Sequence, residues 1–255
     1  MGGSAQAKEP RARDPGRLPA PGRQTDDEPV APRTTDDVPN AVPHADGTEP
    51  GRCGEFWERR YRQTDRMWTG APNGLLVREI ESLPPTTALD LGCGEGGDAL
   101  WLAGRGWRVT AVDVAPTALA RAAQAARAAG VADRVTWLCQ DLADGPPPGS
   151  FGLVTALFLH SPVGMPRGEV LRAAAARVAP GGTLLVVGHS GAPSWQPRET
   201  WYTRLTTPDD VLAELGGAVA GWSVDLRDVY EAPMSRPNGQ VGFRVENALR
   251  LARPV

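Results

Sequence analysis

The stretch that most restricts what this chain can fold into is TALDL (87–91) followed by GCGEGGDALWLAGRG (92–106), an apolar run of strand length that breaks into glycines and re-emerges with helical spacing. The unit then repeats. WRVTAVDV (107–114) reads as a strand and PTALARAAQAARAAG (116–130) as a helix, with Pro near its start and Gly past its end. RVTWLCQDL (134–142) and FGLVTALFLH (151–160) are further strands, EVLRAAAARVAPGG (169–182) is a helix, and TLLVVGHS (183–190) is a fifth strand. Strands that are apolar on both faces must be covered on both, so repeated strand-helix units imply a parallel sheet wound with helices on either side.

The flanks follow other rules. Ahead of the alternation, EFWERRYRQ (55–63) and LLVREIESL (75–83) have helical spacing and are separated by a turn-like WTGAPNG (68–74); Pro84 and Pro85 end the second helix. Behind it, TTPDDVLAELG (206–216) is a strong helix start: Thr207 as N-cap, Pro208 at the first helical position, and two acids in the positive first turn. GWSVDLRDVYE (221–231) and GFRVENALRLA (242–252) have no helix between them and a PNG turn signal instead, so they pair antiparallel. The expected fold class is α/β, a doubly wound, seven-stranded, mostly parallel sheet with a C-terminal antiparallel hairpin.

Composition sets the limits. Residues 1–51 mix Pro, Arg and Asp without one aromatic residue, too little apolar surface to offset ordering entropy, and are expected to be a disordered tail. Residues 52–255 then form one domain, with an N-terminal helical cap over 52–83 and the core over 84–255. No apolar run resembles a signal peptide or reaches the roughly 20 residues that cross a bilayer, so the expectation is a cytoplasmic protein without a membrane partner. The net charge is −3 and the Arg residues are interspersed with Asp and Glu, which argues against nucleic acid; RARDPGR in the tail is offset by the acids after it. Cys53, Cys93 and Cys139 are too far apart for a metal site and read as small buried side chains.

The glycine loop itself fits two ligands. Gly92, Gly94 and Gly97 satisfy G-x-G-x-x-G, the dinucleotide spacing, while Asp90 with Gly92, Gly94 and Gly96 spells D-x-G-x-G-x-G. A dinucleotide presents a pyrophosphate to helix N–H groups, whereas S-adenosyl-L-methionine presents a sulfonium and an ammonium. Asp90, an acid at the tip of the first strand, favours the cation.

These residues resemble the class I S-adenosylmethionine-dependent methyltransferases, Rossmann-like enzymes whose first motif is commonly written as an apolar residue followed by LDLGCGTG. The resemblance runs from about Phe56 to Leu251. It implies S-adenosyl-L-methionine as cofactor and S-adenosyl-L-homocysteine as product, with Asp90, Gly92, Cys93, Gly94 and Gly96 at the methionine and ribose end. It implies Asp113 on the ribose hydroxyls, Val114 on the adenine face, Asp141 and Leu142 at the adenine edge, and Trp68 and Phe158 beside the cofactor. WERRY, W-x-G-x-P-N and TPDDV are similar to the small-molecule, tellurite-resistance type, where Trp57, Tyr61 and Trp68 would belong to a cap over the cofactor; ordinary helix packing explains Trp57 and Tyr61 equally well. One departure is Gly152, where the family usually has an acid in an aromatic-Asp-Leu-Val pattern.

Methyl transfer by in-line displacement needs a nucleophile held at near-attack distance, and a base only if that nucleophile is protonated. His160, in FLHSP, is the best-placed candidate base and His189, in GHS, the second; either is equally at home as a hydrogen-bonded structural residue or as a group that orients the acceptor. The loop at 190–205 carries Trp195, Arg198, Trp201, Tyr202 and Arg204, suited to a flat acceptor with a carboxylate or to simple anchoring of a surface loop. Two rivals remain: a non-catalytic S-adenosylmethionine-binding subunit and an NAD-dependent oxidoreductase. The acceptor, expected to be a small molecule, and the choice between monomer and homodimer are beyond the sequence.

Overall fold

In the computed structural model, residue 1 and residues 53–196, 205–235 and 239–255 are described. The expected tail at 1–51 lies outside them but for residue 1. Two helices lead, α1 (Cys53–Arg62) and α2 (Gly74–Ile80), the second capped by Asn73, whose side chain accepts from Leu75 N at 2.8 Å. The alternation follows as β1 (Thr87–Leu91), α3 (Gly97–Gly104), β2 (Arg108–Asp113), α4 (Pro116–Ala128), β3 (Val135–Cys139), β4 (Phe151–Leu157), α5 (Arg167–Ala175) and β5 (Val178–His189). It closes with α6 (Pro208–Leu215), β6 (Ser223–Ser235) and β7 (Val241–Ala252).

The strands form one seven-stranded sheet in the order β3-β2-β1-β4-β5-β7-β6, parallel except for β7, which runs antiparallel to both of its neighbours. The doubly wound sheet and its terminal hairpin are as the sequence implies. The central strands are buried on both faces, successive side chains pointing to opposite sides: Leu184 and Val186 of β5 pack in a cluster with Leu171 of α5 and Leu215 of α6, whereas Leu185 and Val187 pack with Leu76 of α2 and Leu102 of α3. α6 starts with a capping box, Thr207 Oγ1 accepting from Asp210 N at 3.2 Å while Asp210 Oδ2 accepts from Thr207 N at 2.8 Å.

Three local expectations change. Pro180-Gly181-Gly182 does not follow a helix: α5 ends at Ala175, and β5 already pairs at Val178 with Phe151, with an irregularity in the register before Leu153 and Thr183 meet. The hairpin runs further toward its turn, through Pro233 to Ser235 on β6, a proline that an edge strand accommodates. Cys139 is exposed rather than buried. Gly152, where the family that the sequence resembles usually has an acid, sits so close to Thr86 that a Cβ there would run into its hydroxyl. Among the described residues, no helix is long and apolar enough to cross a membrane.

Candidate active site

β1 and β4 are sheet neighbours, and the chain reverses its direction of winding between them, so the glycine loop after β1 opens at the topological switch point where ligands of such sheets bind. The loop is hung from β2. Gly92 N and Cys93 N both donate to Val112 O, at 2.8 and 2.9 Å, and Gly94 N donates to Asp113 Oδ2 at 2.8 Å. Gly92, Gly94 and Gly96 have φ of 71°, 54° and 84°, the left-handed region that glycine enters without strain. Space is short as well: a Cβ on Gly96 would lie 2.9 Å from Ala122 Cβ on α4, and one on Gly94 would lie 3.0 Å from the Tyr61 hydroxyl.

Two buried carboxylates face this loop. Asp90 is 2% exposed; its Oδ1 accepts from Thr155 Oγ1 at 2.8 Å and its Oδ2 is buried with no partner among the described residues. Burial above all, with Asp98 and Asp113 as nearby negative charges, raises its pKa from 3.8 to about 7 against the Thr155 bond. Asp113, also buried, accepts from Gly94 N and, through Oδ1, from Ala115 N at 2.9 Å; burial raises its pKa while those N–H groups pull it back. Each carboxylate oxygen has roughly two acceptor sites, so Asp113 keeps capacity for a second partner on both.

Over the loop lies a strap the sequence did not disclose. The Glu95 carboxylate, 8% exposed, accepts from Met67 N at 3.1 Å and Trp68 N at 2.9 Å and pairs with Arg121 Nη1 of α4 at 2.7 Å. Arg121 Nη2 in turn donates to Tyr61 O at 3.0 Å and to Thr64 O. Glu95 and Arg121 thus hold residues 61–68 onto the glycine loop, where Trp68 Nε1 donates to the Tyr61 hydroxyl at 3.0 Å. α1 crosses further along the strand ends: Gly54 meets Val114, Glu58 accepts from Thr117 N at 3.0 Å, and Trp57 Nε1 donates to Ser161 Oγ at 3.3 Å. Trp57 and Tyr61 are therefore both packed and placed over the mouth.

The tips of β3, β4 and β5 complete the rim. Asp141 Oδ1 accepts from Ala143 N at 2.9 Å, closing a 3-10 turn over Leu142–Asp144 in which Leu142 is buried. Beyond β4, Phe158 has φ 54°, rare for a residue with a side chain, and its ring stacks on His189 at 4.6 Å; His189 stacks on His160 at 5.3 Å. His160 Nε2 is buried without a partner among the described residues, and burial, with Arg167 and Arg244 nearby, lowers its pKa from 6.5 to about 3. Trp195 lies against Gly242 of β7. Arg198, Trp201, Tyr202 and Arg204 lie outside the described residues.

Residues 88–182, which span β1 to the start of β5, match the family described as a methyltransferase domain. Over those residues the chain carries a methyltransferase domain. Solved structures of similar fold include one described under the conversion of a disulfide bond into a thioacetal group during echinomycin biosynthesis (24% identity, TM-score 0.60, 79% of this chain and 92% of that one). TehB from Haemophilus influenzae is similar over 80% of this chain and 67% of its own, at 16% identity and TM-score 0.57. The cyclase SpnF is similar over 77% and 82%, at 20% identity and TM-score 0.52. At such identities the likeness extends to the fold, and the methyltransferase fold of this chain carries its sheet order and hairpin.

Proposed function

We propose that this methyltransferase transfers the S-adenosyl-L-methionine methyl group to a small-molecule acceptor at the carboxyl ends of β4 and β5. The observation that carries the reading is Asp90 Oδ2, without a partner among the described residues and buried beside three left-handed glycines. A buried carboxylate oxygen with nothing to accept costs free energy that a cationic ligand group would return, and it repels a pyrophosphate. The residues present therefore fit the cofactor and disfavour a dinucleotide.

In this reading Asp90 holds the ammonium end, and Gly92, Cys93, Gly94 and Gly96 give the methionine and ribose a close backbone approach. Asp113 accepts the ribose hydroxyls on its remaining acceptor sites. Val114, Asp141 and Leu142 frame the adenine, with Trp68 closing over the loop and Phe158 bounding it at β4. When bound, the cofactor supplies a methyl on a sulfonium that is already a good leaving group. What the chain adds is alignment and exclusion of water by the cap over 52–83.

His160, with a pKa of about 3, is too weak a base to drain a proton from a neutral nucleophile, so its role is to orient the acceptor by a hydrogen bond from a neutral ring, beside His189. The covered mouth supports a small acceptor over a macromolecule, and three free cysteines suit a cytoplasmic setting. The test is turnover: purified protein given S-adenosyl-L-methionine and fractionated small-molecule extracts forms S-adenosyl-L-homocysteine with at least one fraction. Cofactor binding without product in any fraction would favour the non-catalytic subunit.

A further inference from the structure

The carboxyl end of β5 carries a row of flat groups of which only Phe158 also borders the proposed cofactor site. The Arg244 guanidinium lies 5.6 Å from the Phe158 ring centre, Phe158 stacks on His189, and His189 on His160. Phe158 is held in its left-handed backbone conformation with its N–H on Val187 O at 2.8 Å, and strain kept at a strand tip marks a site where geometry matters more than local comfort.

The charges in this row are unevenly spent. Arg244 is 7% exposed and extends from β7, where the strand passes the end of β5: His189 pairs in register with Glu246. Arg244 Nε and Nη2 both donate to one oxygen of Glu246, at 3.3 and 2.8 Å, and the other oxygen accepts from the Tyr230 hydroxyl at 2.8 Å. Glu246 is thereby occupied on both oxygens. Arg244 Nη1 has no hydrogen bond among the described residues. The second cation near His160, Arg167, is committed to Glu214 and to Leu159 O. A fixed guanidinium with one N–H edge to spare, beside stacked rings, is a recognition element for a flat anion.

We propose, on the basis of the methyltransferase reading, that Arg244 selects an acceptor bearing an anionic group on a planar frame, with aromatic carboxylates as the matching chemistry. The anion sits on Arg244 Nη1, and the ring row of Phe158, His189 and His160 bounds the planar part. Glu246 and Tyr230 act behind Arg244 as positioning residues.

The experiment starts from protein saturated with S-adenosyl-L-homocysteine, that saturation being measured first by calorimetry, and then titrates benzoate, benzamide and benzylamine. Benzoate is expected to bind about tenfold more tightly than its neutral isostere benzamide, with benzylamine weakest. Arg244→Gln combined with Glu246→Gln removes both charges of the buried pair together, and is expected to erase the preference for benzoate while the melting temperature and the S-adenosyl-L-homocysteine affinity stay near wild type. Equal binding of benzoate and benzamide to wild type, or a preference that survives in the double variant, overturns the proposal. Should the double variant not fold, Arg244→Lys keeps the charge and loses the fork; it is expected to reduce the preference severalfold, and an unchanged preference overturns the proposal. Failure of S-adenosyl-L-homocysteine to bind at the first step overturns the methyltransferase reading, and the proposal with it.

Discussion

Asp90→Asn separates what Asp90 does for the fold from what it does for the cofactor, because the two effects have opposite sign. The carboxyl group is 2% exposed and has a pKa raised from 3.8 to about 7, chiefly by burial. Between those values the folded protein keeps a proton that the unfolded chain has released, so the residue's contribution to stability falls as pH rises through that window. Three pKa units amount to about 4 kcal/mol when the loss is complete, and about 2.5 kcal/mol of it accrues between pH 5 and pH 8. Asparagine keeps an acceptor for Thr155 and cannot ionise. In cofactor-free protein, urea unfolding at pH 5, 6, 7 and 8 is therefore expected to show Asp90→Asn gaining on wild type by about 2.5 kcal/mol across the series. Affinity for S-adenosyl-L-methionine moves the other way, at least about thirtyfold weaker at pH 8, since a buried opposite charge has been removed. Parallel stability curves for the two proteins, or unchanged cofactor affinity, would refute the reasoning.

Other residues give independent checks. Gly96→Ala places a Cβ 2.9 Å from Ala122 Cβ at a φ of 84°, and is expected to cost about 2 kcal/mol of stability by chemical unfolding; a loss below a few tenths would mean the loop is looser than described. Arg121→Ala cuts the strap from α4, so amide exchange across 61–68 is expected to accelerate and cofactor affinity to fall about tenfold, with the sheet amides unchanged. His160 has a pKa lowered from 6.5 to about 3, so the unfolded chain binds the extra proton between those values and stability falls as pH drops through them. His160→Gln is expected to remove about 1–2 kcal/mol of that acid sensitivity by pH 5, and identical acid-unfolding profiles would contradict it.

The sheet class and element types were legible because each strand carries its own pattern: TALDL gives β1 to the residue, and the Thr207-Pro208 start gives α6. Local signals misled where pairing overrides them. Pro180-Gly181-Gly182 looks like a helix exit, yet β4 offers Phe151 as a partner to Val178 and the strand begins earlier. The glycine loop and its acids were readable because they lie within one motif and the two strand tips beside it. Glu95 and Arg121 were not, since their partners stand about 26 residues apart and on different elements; the signals were an acid where LDLGCGTG has Thr, and an Arg inside an alanine-rich helix. Arg244 and Glu246 were hidden for a similar reason: on β7 they read as the polar residues of an alternating strand, and only the register with His189 brings them to the mouth.

The central claim is that the loop after β1 holds a sulfonium-bearing cofactor rather than a dinucleotide. Titration of the purified protein with S-adenosyl-L-methionine and, separately, with NADH tests it most directly. The account predicts saturable micromolar binding of S-adenosyl-L-methionine, lost in Asp90→Asn, and no saturable binding of NADH; micromolar NADH binding with none for S-adenosyl-L-methionine would contradict it.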